Sequence, residues 1–363
     1  MRVFQMAGFG PFYLSETDTG RTEYSSFNAR RSALLDDRYE ATHILEPVYN
    51  SSPDIFFTVS DDLKLQMQWA REKGMKSKDL TQILLAQIEE FNPDIIYNLD
   101  PILFPSSFIK RLPACVKKTL AWRAGPIAGA DLSAYDVILS NFESLNSRWR
   151  QLGLRTAEFF PSWDPAMEIY AENAARPIDV FFAGSYARTT GHDDRVEVLD
   201  QVATLSERYF VDLRVRAKRW GRLADQFVLR WIPAPIFLPK NIRRLAKHAI
   251  YGRDMYTAIS SSKVIVNPST SIVGDYRGNM RCWEALGCGA CMLATKGHYP
   301  EGFVSGETYE EYGDSNDARR KLEGLLVDDA RRIYIASRGA KMVKERWSKG
   351  RQWKDFQAIV SSL

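Results

Sequence analysis

Cysteine, histidine and long apolar runs are all scarce in this chain of 363 residues, and each shortage removes a class of protein. Four cysteines are too few to staple a chain of this size into a disulfide scaffold. Cys288 and Cys291 form a C-x-x-C that, with Cys282 or His298, would suit zinc or a redox pair. No second C-x-x-C accompanies it, and it falls in a small-residue turn where compact thiols pack well, so structural thiols and no metal site are expected. No apolar run approaches the roughly 20 residues of a membrane span. The N-terminal VFQMAGFGPFYL is interrupted by Gln5, Gly8 and Gly10, unlike a secretory segment, so a cytoplasmic protein is expected. Internal repeats and low-complexity runs are also missing.

What is present is ordinary globular material, 45% hydrophobic and 26% charged, enough for two domains of about 150 to 180 residues each. The first half alternates strand-like and helix-like segments, which argues for parallel α/β units. Strands are expected at Arg2 to Ala7, His43 to Leu45, Ile55 to Val59, Asp94 to Leu99, Lys118 to Trp122, Asp136 to Ser140 and Arg155 to Phe160. The clearest helix is Asp79 to Phe91, with an apolar stripe of Leu80, Ile83, Leu84 and Ile88 and a stop at Asn92-Pro93. A Pro-bearing stretch follows Pro161, and IDVFFAG then opens a second domain. The expected organisation is a first domain over 1–165, a linker over 166–177, a second domain over 178–348, and a last helix over 349–363 that packs back on the first.

The segment Val264 to Ala294 reads as strand, polar loop, short helix, Gly-rich turn and buried strand, an order suited to a nucleotide. Arg277, Arg281 and Glu284, at spacings of four and three, are expected to share one helix face. Two guanidiniums and helix amides suit a diphosphate, and a carboxylate suits ribose hydroxyls. Asn267, Tyr276, Gly278 and Asn279 line the same loop. The bland reading of Arg281 and Glu284 is an ordinary exposed ion pair worth under about 1 kcal/mol. Gly184-Ser185 closes the first strand of the second domain. There Gly184 would let backbone approach a phosphate, Ser185 would donate to it and Arg188 would offset its charge; a plain tight turn is the alternative. Gly8-Phe9-Gly10 is a weak cofactor motif, because Tyr13 stands where a dinucleotide fingerprint needs its third glycine.

Four stretches, YGRDMYTAISSSKVIVNPS, RGNMRCWEALGCGACMLA, GHYPEGFVSGETYEEYGDSNDARRKLEGLL and RRIYIASRGAKMVKERWSKGRQWKDF, run in the order shown by CgeB/YkvP-type glycosyltransferases, which this half of the chain resembles. In the first half NPDIIYNLD, AYDVILSNFESLNSRWRQLGL and FFPSWDP are similar to the same family. The resemblance implies an α/β fold of GT-B architecture, two Rossmann-like domains facing a central cleft, and transfer of a sugar from a nucleotide-sugar donor to a glycan or lipid-linked glycan. It implies that Glu284 holds the ribose. Many retaining enzymes of this architecture have a second glutamate at the position of Tyr276, which leaves the donor sugar and the stereochemistry open. No Asp-x-Asp triplet occurs, so the diphosphate is expected to be held by Arg281, Arg277 and amides, without metal or other cofactor. Asp100, Glu16 and Asp18 are the candidate general bases on the acceptor side.

The net charge of +4 conceals a window from Arg214 to Arg253 with eleven Lys or Arg against Asp225 alone. Mixed with Trp220, Phe227 and Trp231, these residues suit a solvated rim around a diphosphate site. They equally suit peripheral contact with the inner face of an anionic membrane, or the phosphates of a nucleic acid. The rival functions are therefore a glycosyltransferase acting on modified DNA bases and an inactive nucleotide-sugar or glycan-binding protein.

Overall fold

The computed structural model describes residues 1–18, 24–185, 193–216 and 238–363. The chain divides into two compact units, one of residues 1–161 with 349–363 and one of residues 162–348. In the first, strands β1 (Val3–Ala7), β2 (Ile55–Val59), β3 (Ile95–Asn98), β4 (Lys118–Trp122), β5 (Val137–Ser140) and β6 (Thr156–Glu158) form a parallel sheet in the order β2-β1-β3-β4-β5-β6. In the second, β7 (Ile178–Ser185), β8 (Val211–Arg216), β9 (Ala246–Lys247), β10 (Ser262–Asn267), β11 (Cys291–Thr295) and β12 (Glu310–Tyr312) form another, in the order β12-β11-β10-β7-β8-β9. Helices cover the sheets, so the central strands are mostly apolar and buried along their whole length: every residue of β1 and β3 is buried, the polar Gln5 and Asn98 included. Strand order reverses between β1 and β3 and again between β7 and β10. Those reversals leave crevices at the strands' carboxyl ends, where such folds bind ligands.

Helix Leu80–Phe91 begins where Asp79 accepts from the Thr81 and Gln82 amides, and ends at Asn92 in the left-handed conformation. Its buried side is Ile83, Leu84, Gln87 and Ile88. The expected strand His43 to Leu45 is instead a 3-10 turn, Ala41–His43, followed by extended backbone. Its polar groups are met by a side chain rather than a neighbouring strand: Gln5 of β1 donates to the His43 carbonyl and accepts from the Leu45 amide. The second unit begins at Ser162, so the last four residues of the expected first domain and the expected linker, 166–177, lie within it and carry the turn Pro165–Met167 and the helix Glu168–Ala171. The last helix, Lys349–Ser362, belongs to the first unit, where Phe356 packs against Tyr97 and Phe159. Among the described residues no helix is long and apolar enough to cross a membrane.

The start of that last helix creates a titratable core. The Lys349 ammonium donates to the carbonyls of Ala41 and Ile44. His43 is buried between this cation and the Trp122 ring, its centroid 3.9 Å away. Burial, reinforced by the Lys349 charge, lowers the His43 pKa to about 3. The unfolded chain therefore binds a proton near pH 6.5 that the folded chain refuses, so the native state loses stability as pH falls from about 6.5 toward 3. The expected slope is up to about 1.4 kcal/mol per pH unit from this residue. Urea denaturation at pH 7, 6 and 5 should show the loss, and His43→Gln should flatten it; an unchanged slope in that variant would refute the assignment.

Candidate active site

The carboxyl edge of the second sheet is assembled from the ends of β7, β10 and β11. Asn267, the last residue of β10, exchanges two 3.2 Å amide hydrogen bonds with Asn279, the residue that precedes helix Met280–Gly287. Because its side chain is committed to Asn267, Asn279 does not cap the helix it introduces. Beneath this turn the Cys282 sulfur takes an Asn267 amide N–H at 3.3 Å, and burial pushes its pKa up to about 12. Cys291 is likewise raised to about 12 and burial also pushes the Cys288 thiol well up, which leaves three protonated thiols with little nucleophilic or ligand character. Among the described residues no three His, Cys, Asp or Glu converge on a point that could hold a metal ion.

Arg281 and Glu284 lie one turn apart on the helix and form an ion pair through Nη1 and Oε2. Their side chains are only 14% and 6% exposed, so this is not the solvent-facing pair of the bland reading. Burial raises the Glu284 pKa, Arg281 opposes the rise, and nearby Asp164 adds to it. Asp164 is itself buried and accepts from the Ala166 amide and the Tyr256 hydroxyl, both at 3.3 Å. The helix end is packed without slack: a Cβ on Gly287 would sit 2.3 Å from the Met167 sulfur. The Arg281 Nε, buried, has no hydrogen-bond partner.

Arg277 does not join that face. Gly278 has φ +116°, Asn279 is extended, and the helix starts only at Met280, so the four-residue spacing to Arg281 has no helical meaning. The Arg277 guanidinium is spent on the carbonyls of Gly274 (2.6 Å), Tyr276 (2.9 Å) and Lys296 (3.1 Å). With the Arg277 amide on His298 O and the His298 amide on Asp275 O, both at 2.8 Å, it braces the loops that follow β10 and β11. Gly297 is needed there, because a Cβ would lie 2.5 Å from the Asp275 carbonyl oxygen. The brace sets the Tyr276 ring beside His298, with centroids 5.7 Å apart.

Gly184 and Ser185 close β7 as expected, although the missing Gly184 side chain makes room for the Phe182 ring, which a Cβ would approach to 2.8 Å. Arg188 lies outside the described residues, as do Lys218, Arg219, Arg222 and Arg230 of the basic window. Residues missed by sequence reading complete the edge. Thr295 accepts from the Ser269 amide at 2.9 Å and donates toward the Tyr312 hydroxyl at 3.0 Å, which ties β10, β11 and β12 together. Arg195 donates to the carbonyls of Ser185 (3.0 Å) and Pro268 (2.9 Å). Neither stood out, because a lone threonine or a helical arginine has no local pattern.

In the first unit, Asp100 follows β3 and lies so near Gly8 that a Cβ there would fall 2.3 Å from its Oδ2. Asp61, after β2, accepts from the Phe9 amide (2.9 Å) and the Gly10 amide (2.7 Å). The chain's own carboxylate thus occupies the amides that a dinucleotide phosphate would need. Burial raises the Asp100 pKa and the Asp61 charge adds to it, while the Leu103 amide and Arg123 pull the other way. Glu16 and Asp18 fall in the helix Gly10–Asp18, and their side chains lie outside the described residues.

Residues 195–358 match the family model described as glycosyl transferase-like. No curated protein sequence is similar enough to count as a relative. Among solved structures, HepE of Anabaena in complex with UDP and glucose is similar at a TM-score of 0.60 and 13% identity, over 100% of both chains. A glycosyltransferase from Rickettsia africae is similar at 0.58 and 9% identity, over 99% of this chain and 97% of that one. Sucrose-phosphate synthase of Thermosynechococcus elongatus is similar at 0.54 and 12%, over 100% and 99%. At such identities the structural likeness is one of fold. Residues 195–358 thus form a glycosyl transferase-like domain, and the chain as a whole shares the two-sheet α/β fold, of GT-B architecture, seen in these structures.

Proposed function

We propose that this chain, a member of the CgeB/YkvP branch, moves a sugar from a nucleotide-sugar donor to a glycan or lipid-linked glycan, without a metal ion. The observation that carries the reading is the buried Arg281–Glu284 pair on an uncapped helix at the carboxyl edge of the second sheet. A buried pair on a helix that no side chain caps costs desolvation that a solvated pair avoids, and a bound nucleotide gives that arrangement a use. Glu284 accepts from the ribose hydroxyls. Arg281 and the amides of the first helical turn offset the charge that develops on the departing nucleoside diphosphate as the sugar becomes oxocarbenium-like. HepE was solved with UDP-glucose, which supports a nucleotide-sugar donor for this fold. Tyr276 and His298 take the place facing the sugar, with a phenol and an imidazole where a carboxylate would otherwise stand. Asp100, raised by burial, serves as the base that accepts the acceptor's proton. The basic residues between 214 and 253 hold the protein at an anionic membrane surface, where lipid-linked acceptors reside.

The test is thermal unfolding with a panel of nucleoside diphosphates and their sugars. One nucleobase should raise the unfolding temperature, since ligand at 100 times Kd adds about 2.7 kcal/mol to stability. If every nucleotide leaves the transition unmoved, the donor site is wrongly placed.

A further inference from the structure

Three arginines are buried among the described residues: Arg30, Arg195 and Arg332. Arg30 is paired with Asp62 at 2.7 Å and Arg332 with Asp329 at 2.6 Å. Arg195 has no carboxylate partner among the described residues. In the first turn of helix Asp193–Thr204, and 7% exposed, it gives Nη1 to the Ser185 carbonyl and Nη2 to the Pro268 carbonyl, and its Nε has no partner. The Phe182 ring centroid lies 6.0 Å from its Cζ. Burial lowers its pKa to about 10, and the opposing influence comes from a phenol, Tyr312, not from an acid. A guanidinium taken out of water and given only neutral acceptors is under-compensated, a state that proteins relieve with a counter-charge.

The position of this charge tells what would relieve it. Ser185 ends β7 and Pro268 follows the end of β10, and these are the two strands at which the order of the second sheet reverses. Arg195 therefore ties together the two strand ends that flank the crevice, and it leaves a positive charge under them. We infer that Arg195 is a positioning residue of the donor site, holding the ends of β7 and β10 in register while the phosphates of a bound nucleoside diphosphate complete its missing counter-charge. The inference rests on the proposal that the donor binds at this edge, and it adds that anion binding and loop placement are coupled through one side chain.

Two substitutions separate charge from strap. Arg195→Lys keeps the cation and one donor, whereas Arg195→Gln keeps a donor to a carbonyl and loses the charge. Wild type and both variants are titrated calorimetrically with inorganic pyrophosphate and with UDP, after circular dichroism has established folding; Arg195→Met replaces the glutamine variant if that does not fold. Pyrophosphate affinity is expected to fall about 10- to 100-fold in Arg195→Gln, as for loss of a charged hydrogen-bonding group. It should return to within about threefold of wild type in Arg195→Lys, which retains the point charge. Equal affinities in all three proteins, an equal loss in both variants, or no pyrophosphate binding by wild type would each overturn the inference. Charge-dependent pyrophosphate binding with no turnover of any nucleotide-sugar would uphold it while removing the proposed function. UDP bound equally by wild type and Arg195→Gln would do the reverse.

Discussion

Glu284→Ala is expected to abolish nucleotide-dependent stabilisation and to cost the second unit about 3–5 kcal/mol, the usual penalty for breaking a buried ion pair from one side. The cost comes from burial. Arg281 would be left with a desolvated guanidinium whose Nε already has no partner. Glu284→Gln should do less harm to stability, because the amide still accepts from Arg281. It should still weaken nucleotide binding, because a neutral acceptor holds ribose hydroxyls less well than a carboxylate. Arg281→Ala should be severe for a different reason, since it removes the charge that opposes the repulsion between Glu284 and Asp164. Urea unfolding of the three variants and the double mutant gives the coupling energy directly. A coupling near zero, with nucleotide binding intact, would mean the pair is ornamental.

The second large effect is structural. Phe356→Ala should destabilise the first unit by about 3–5 kcal/mol, as aromatic truncations in sealed cores do. Phe356 is fully buried, 5.0 Å from the Tyr97 ring centroid and 6.1 Å from that of Phe159, and it stacks on Trp353 at 5.6 Å. Tyr97 is on β3 and Phe159 follows β6, so the cavity would open under most of the sheet. Phe356→Leu should recover much of the loss. Two-step denaturation, with only one transition shifted, would show that the damage stays within one unit; a shift under about 1 kcal/mol would refute the packing argument.

The strands were legible because parallel strands covered on both faces are mostly apolar, and helix Leu80–Phe91 because Asp79 and Asn92 mark its ends locally. His43 to Leu45 misled because its backbone is satisfied by Gln5, some forty residues away, which no window reading can register. In the candidate site, Arg281 and Glu284 were readable as a one-turn pair. Arg277 was misplaced because Gly278 and Asn279 interrupt the helical phase just after it. Asp61 and Arg195 carried no signal at all, since their partners are backbone groups brought near only by folding.

The first unit is discontinuous, and that has a consequence for how the protein is made. Its sheet is complete by residue 158, but Lys349, Gln352 and Phe356, which close one face, are synthesised only after the whole second unit. On the ribosome, the half made first is thus the half finished last. It waits with Tyr97 and Phe159 uncovered through the translation of nearly two hundred residues, an interval in which a chaperone has apolar surface to hold. Premature termination anywhere in the second unit would release a first unit that cannot seal its own core.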